Sequence, residues 1–182
     1  ADTDGMNWPS QSTRVSVVDI NSFEFEKTIT VSLNPNYIYS DSDGDVYVIC
    51  MSDYSDDKSY IVQRIDAKTD EVKTVEGIKA YKMTVADDIA YIMFNDYYAN
   101  EVKYYKYDLK NEKLLSDNFI TDGTVVSSPN GIGVDPVTGD IYVGKSNKKN
   151  NGDVYVFSSE GKLKSQFETL PYPADFVFMT NK

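Results

Sequence analysis

Ile132-Gly133-Val134-Asp135-Pro136-Val137-Thr138-Gly139-Asp140-Ile141-Tyr142-Val143 reads as one strand, an Asp/Gly turn and a second strand of the form apolar-Tyr-apolar. The second strand has two earlier counterparts, Val46-Tyr47-Val48 and Ala90-Tyr91-Ile92. The first has Tyr37-Ile38-Tyr39 and Met83-Thr84-Val85. A fourth copy of the first strand, Phe176-Val177-Phe178, arrives with no second strand behind it. The tyrosines recur about every 45 to 50 residues, the length of a four-stranded β-propeller blade. Period-two alternation runs through the segments between, as in Val15 to Asp19, Ile61 to Asp66 and Val154 to Phe157, and no window sustains an apolar period of 3.6. The pattern predicts an all-β chain with almost no helix.

Composition agrees with that reading. The 182 residues suffice for one substantial core, and 15 Tyr suit strands whose large side chains pack between stacked sheets. The net charge of −11 argues against nucleic acid or an anionic membrane surface as partner, because each phosphate contact needs a cation and 18 Lys and Arg stand against 29 carboxylates. No stretch reaches the roughly 20 apolar residues of a membrane span. No signal peptide opens the chain, which therefore reads as a mature or trimmed product. The single cysteine, Cys50, has no partner for an internal disulfide and reads as a small buried hydrophobe at the end of a strand.

With the strands of a blade lettered A (innermost) to D (outermost), the first complete unit has A at Asn36 to Ser40, B at Asp45 to Cys50, C at Tyr60 to Asp66 and D at Glu71 to Val75. The A to B turns are Asp41 to Gly44, Ala86 to Asp88 and Asp135 to Gly139, built of residues that tolerate positive φ. The C to D turns lead with Asp19, Asp66 and Asp108, whose carboxylates can accept backbone amides two residues on, a turn-stabilising role. The strand order predicts residues 1–33 as the end of one blade, 34–78, 79–124 and 125–170 as three complete blades, and 171–182 as a lone A strand. That is a propeller segment of fifteen strands, from a ring of seven. The final A strand needs a missing N-terminal half or a neighbouring chain to complete its blade.

The run Asn130 to Pro136, with Gly139 to Val143, Gly152 to Phe157, Gly161-Lys162-Leu163 and Phe167, resembles the last blade of the YVTN-repeat, surface-layer-like propellers. It is similar above all to the seven-bladed secreted lipoproteins of gut Gram-negative bacteria that sit beside nutrient-uptake receptors. The second unit departs from the pattern: Gly77 to Lys82 lacks the usual Pro, and Ala86-Asp87-Asp88 lacks the turn Gly. One branch of the family captures corrinoids such as vitamin B12 and hands them to an outer-membrane transporter. The resemblance implies an extracytoplasmic location at the cell surface or periplasm.

The chain has no histidine, so imidazole-based acid/base catalysis, nucleophile activation and most zinc sites have no starting point, and the sequence reads as non-catalytic. Asp41-Ser42-Asp43-Gly44-Asp45 invites a cation, but its Gly is fourth rather than sixth and a strand follows at once, which favours an acidic turn. No metal or cofactor site is expected. The B to C and D to A connections emerge together on one face and are aromatic and Asn-rich, a composition suited to ligand contact. The candidate binding residues on that face are Trp8, Asn36, Tyr54, Tyr81, Tyr97, Tyr98, Asn130, Lys148 and Tyr172. The expected ligand is a corrinoid or a glycan, or the face docks to an uptake transporter. The competing expectation is a structural or protein-interaction propeller without a small-molecule ligand.

Overall fold

The structure, a computed structural model, describes residues 12–52, 59–96 and 101–179. Among the described residues there is no helix and there are fourteen strands. The chain divides into two compact units, Ala1–Ala80 and Tyr81–Lys182.

In the first unit, β1 (Arg14–Val18) and β2 (Phe25–Thr30) form an antiparallel pair. β3 (Pro35–Ser40), β4 (Val46–Cys50), β5 (Ile61–Ile65) and β6 (Val72–Lys79) follow as a four-stranded antiparallel sheet in chain order. β-Branched and aromatic residues at alternate positions give each strand one apolar face, and those faces must be covered. Val15 and Val31 meet Val48, Cys50 and Ile65 in one buried cluster. Cys50 is fully buried, as the sequence predicts, and burial pushes its thiol up to about 12.

The second unit holds two such sheets. β7 (Lys82–Ala86), β8 (Ile89–Asp96), β9 (Glu101–Asp108) and β10 (Lys113–Ser116) form one. β11 (Pro129–Val134), β12 (Ile141–Asn147), β13 (Asn150–Phe157) and β14 (Leu163–Thr169) form the other. The face of the latter that carries Ile132, Val134, Ile141, Val143, Tyr155 and Phe157 packs with Tyr91 and Met93 of β8. Face-to-face stacking of four-stranded meanders is how propeller blades bury their apolar sides.

The leading aspartates do the work expected of them. Asp19 Oδ1 accepts the amides of Asn21 and Ser22 at 2.9 and 2.7 Å. Asp66 Oδ1 accepts those of Lys68 and Thr69 at 3.0 and 2.9 Å, and Asp108 Oδ1 accepts that of Asn111 at 2.9 Å. The Thr69 hydroxyl and the Asn111 side-chain amide also donate to Asp66 and Asp108 and weigh most there; all these bonds favour the ionised carboxylate, so the three pKa values fall below their usual range. The turn without glycine is solved by Asp87 and Asp88, both at positive φ (50° and 59°), which makes a two-residue hairpin of the primed kind.

Three details differ from the sequence reading. The outer strand β6 runs on to Lys79 instead of stopping at Val75, because a bulge carries the pairing from Gln63–Thr74 to Ile61–Lys79. The innermost strands are also aligned one residue differently. Tyr47 faces Tyr39, Tyr91 faces Thr84 and Tyr142 faces Gly133, so Tyr39, not Ile38, corresponds to Thr84 and Gly133. The lengths of the turns fix this frame, since Ser40 pairs with Val46, Ala86 with Ile89 and Val134 with Ile141, and apolar alternation alone does not reveal it. Finally, the expected fifteenth strand has a strand's alternation but, among the described residues, no ladder. Phe176 and Phe178 are half-buried, while Val177 and Met179 are 89% and 95% exposed.

Candidate functional site

Four of the candidate residues, Trp8, Tyr54, Tyr97 and Tyr98, lie outside the described residues. Of the other five, Asn36 lies in the first unit and Tyr81, Asn130, Lys148 and Tyr172 lie in the second. Asn36 is an exposed residue of β3 in the first unit. Tyr81 packs partly buried against the apolar core of the second unit, and its amide donates to the Met93 carbonyl at 2.8 Å. Asn130 holds the chain itself, donating from Nδ2 to the Pro173 carbonyl at 3.3 Å. Tyr172 stands next to that contact at positive φ, 54% exposed. Lys148 sits in a tight hairpin turn, because β12 and β13 reach to Asn147 and Asn150 and reduce the expected loop Lys145 to Asn151 to two residues. Within the second unit, Asn130 reaches the Pro173–Ala174 stretch directly, Tyr172 precedes it, and Tyr81 precedes Lys82, whose Nζ donates to the Ala174 carbonyl at 2.9 Å.

The acidic run Asp41 to Asp45 is a structural turn. Asp41 Oδ1 accepts the amides of Asp43 and Asp45 at 3.0 and 2.9 Å. Asp45 is paired with the Arg64 guanidinium and accepts the Ala67 amide at 2.8 Å. Their oxygens are turned to these donors, and among the described residues no group of three or more potential metal ligands forms.

A cavity of about 400 Å³ opens in the second unit where the connection from β10 to β11 passes the beginning of β9. It is lined by Val102, Tyr104, Asn118, Ile120, Thr124, Val125, Val126 and Ser127. A parallel bridge between Tyr104 and Asn118 and a 2.8 Å bond from the Phe119 amide to the Tyr104 carbonyl lay the connection along β9. Tyr104, Ile120 and Val126 are buried and form an apolar base. The Tyr104 hydroxyl is spent on the Val126 carbonyl at 2.8 Å, and burial raises its pKa. Asn118 and Ser127 are exposed at the rim, where Asn118 Oδ1 accepts the Ile120 amide at 3.0 Å. No lining residue carries a formal charge, so the site suits a neutral, partly apolar group that also exchanges hydrogen bonds with amide and hydroxyl. The middle of the connection is fastened by the Leu163 amide to Asp122 Oδ2 (2.7 Å) and by the Thr121 amide to the Gly161 carbonyl (2.9 Å).

Sequence reasoning missed these residues because Val102 and Tyr104 look like ordinary strand positions. One signal was available: Phe119, Ile120, Val125 and Val126 are large apolar residues in a connecting segment, where such residues need a reason.

No protein-family model and no curated protein matches the sequence. Solved structures do. The chain is similar to the Dos1 propeller, with a TM-score of 0.63 and 12% identity over 91% of this chain and 44% of that one. It is similar to TolB from Acinetobacter baumannii (TM-score 0.59, 15% identity, 87% of this chain and 38% of that one). It is also similar to the β-propeller domain of the Trilobed protease from Pyrococcus furiosus, described as having an open velcro topology (TM-score 0.52, 10% identity, 75% and 42%). The chain therefore spans less than half the length of each of these. With the four-stranded sheets, they define the fold as a partial β-propeller.

Proposed function

We propose that this chain belongs to a non-catalytic extracytoplasmic binding protein, which holds a small ligand on the propeller face that carries the B to C and D to A connections. The observation that supports it is the uncharged cavity between Tyr104, Ile120 and Val126, lined in part by the β10–β11 segment, which is itself a D to A connection. Its size falls within the range of roughly 300 to 1,000 Å³ in which proteins hold small molecules. The resemblance to surface-layer-like lipoproteins suggests corrinoid first and glycan second, with an uptake transporter as a docking partner. A neutral sugar unit fits the uncharged lining, whereas a corrinoid, with a phosphodiester in its nucleotide loop, would place only an uncharged part of its periphery there.

The second reading, a propeller that only meets other proteins, is favoured by Val125, which stands 82% exposed at the cavity edge. Thermal-shift titration with cyanocobalamin and with a series of neutral oligosaccharides separates the two. A saturable rise in Tm that Thr124→Trp abolishes, because the indole fills the cavity, supports ligand binding. No rise with any of them leaves the protein-interaction reading ahead.

A further inference from the structure

Three tyrosines index the three complete sheets: Tyr47 faces Arg64, Tyr91 faces Lys106 and Tyr142 faces Val156. Four residues before those partners stand Tyr60, Val102 and Gly152, at one equivalent place in each sheet. In two of the sheets the outer strand covers that place. The Ala80 amide, just past β6, donates to the Tyr60 carbonyl at 2.7 Å, and Gly152 pairs with Thr169 of β14. In the remaining sheet β10 ends at Ser116, opposite Lys106, and the chain turns away after a last bridge from Asn118 to Tyr104. The Tyr104 carbonyl points outward, to the Phe119 amide, so the amide and carbonyl of Val102, two residues earlier in the strand, point outward as well. Among the described residues neither has a hydrogen-bond partner.

The place that β10 leaves open borders the cavity. Val102 and Tyr104 line it from β9, Ile120 and Val126 are apolar lining from the connection, and Val125 stands 82% exposed at the edge. Charge near it is acidic. Asp117 and Asp122 bracket the lining residues Asn118 and Ile120 in the chain and have no cation partner among the described residues, whereas Lys103 is tied to Glu101 at 2.8 Å. We infer that the outer edge of β9 at Val102 accepts an extended peptide segment of a partner protein. The peptide adds a short strand where β10 stops, sets one apolar side chain into the cavity over Tyr104, Ile120 and Val126, and brings a Lys or Arg to Asp117. An open edge matches a second backbone at the strand spacing, so main-chain pairing supplies affinity and the cavity supplies selectivity. A sugar can meet the rim, but it has no regular series of amides to follow the edge. The inference rests on the second reading above, a propeller that meets other proteins, and gives that partner its chemistry.

The test titrates the 182-residue chain with end-blocked hexapeptides Lys-Thr-X-Thr-Val-Thr, in which X is Ala, Val, Leu, Met or Phe. At least one is expected to bind with a Kd below about 1 mM and to slow exchange of the Val102 amide by about tenfold or more. Only every second amide of an added strand faces the edge. N-methylation of one alternate set of peptide amides, but not of the other, is therefore expected to weaken binding by about tenfold. Val102→Pro removes the outward amide and leaves the β8–β9 ladder in place, and it should have the same effect. Glu in place of the peptide's Lys is expected to weaken binding by about threefold. Binding that is indifferent to N-methylation and to Val102→Pro, yet is lost in Thr124→Trp, is a protein contact without an added strand: it keeps the second reading and overturns the inference. No binding by any of the five peptides overturns the inference as well. The second reading itself falls only if cyanocobalamin or an oligosaccharide raises Tm through the cavity.

Discussion

Tyr39 of β3 and Gly133 of β11 occupy the same position in two sheets of the same pattern, each facing the central tyrosine of the next strand. In the first unit the strand brings its own aromatic ring to that place. In the second, the place is bare, and the ring comes from Phe176 of the following segment, which settles over Gly133 and against Tyr142. The demand for apolar cover is similar, and what differs is which part of the chain meets it. A sheet that supplies its own aromatic side chains leaves ordinary room for a neighbour, whereas one that withholds them admits the neighbour's backbone and thereby fixes its path.

The comparison breaks most visibly at Gly131. A valine there has to displace the backbone of Pro173 and Ala174, atoms that no rotamer change can move aside. Gly131→Val is expected to cost about 2 to 3 kcal/mol in urea denaturation, the upper part of the range for overpacking. It should also free the segment, seen as rapid amide exchange from Asp175 to Phe178. An unchanged exchange pattern would show that the glycine positions do not hold the segment.

Exchanging the suppliers of the ring gives the next effects in size. Tyr39→Gly removes a half-buried ring and adds the entropy cost of glycine in a strand, for an expected loss of about 2 kcal/mol. Phe176→Ala should lose less, about 1 to 2 kcal/mol, because its ring is half-buried and a full Phe→Ala truncation in a core costs about 3 to 5. The two losses should differ in where they are felt. Tyr39→Gly leaves exchange at Asp175 to Phe178 unchanged, and Phe176→Ala speeds it. If both variants perturb the same amides, the two positions are not the independent solutions described here.

The sheets were legible because alternation, the Asp turns and the φ-Tyr-φ strand all carry physical constraints that survive in one dimension. Asp19, Asp66 and Asp108 are readable as turn residues for the same reason: the amides they accept are two or three residues away. The bare glycine seat of Pro173 to Phe176 was not. Gly131, Gly133, Gly144 and Gly152 are separate letters in the sequence, and their meaning lies in a chain segment about twenty to forty residues further on. The one-residue offset at Tyr39 was hidden for a related reason, since the length of the turn that follows sets the register without altering alternation. The cavity was hidden differently. Its base is Tyr104, Ile120 and Val126, apolar residues whose role depends on where the β10–β11 connection runs. Loop aromatics were the reading that composition favoured, and of the described ones Tyr81 packs on the apolar core while Tyr172 stands 54% exposed.

Where the two units differ in how their sheet faces are covered, they share the chemistry of their outer turns, and acid should therefore act on both alike. Asp66 in the first unit and Asp108 in the second each have a carboxyl pKa below its usual 3.8, held down chiefly by side-chain and backbone hydrogen bonds from Thr69 and Asn111. A carboxyl whose pKa is lower folded than unfolded contributes stability that is complete well above 3.8 and is lost as pH falls through the folded value. The urea midpoint should thus hold steady from neutral pH to about 5 and decline below about 4. Both carboxylates stand in water, so each share is small, and it is best read as a slope. Asp66→Asn and Asp108→Asn keep an acceptor oxygen but cannot titrate, so each should lower the neutral-pH midpoint slightly and flatten the decline below pH 4 by a similar amount. A flattening confined to one of the two variants would mean that the turns are not equivalent, and that the difference between the units extends beyond their sheet faces.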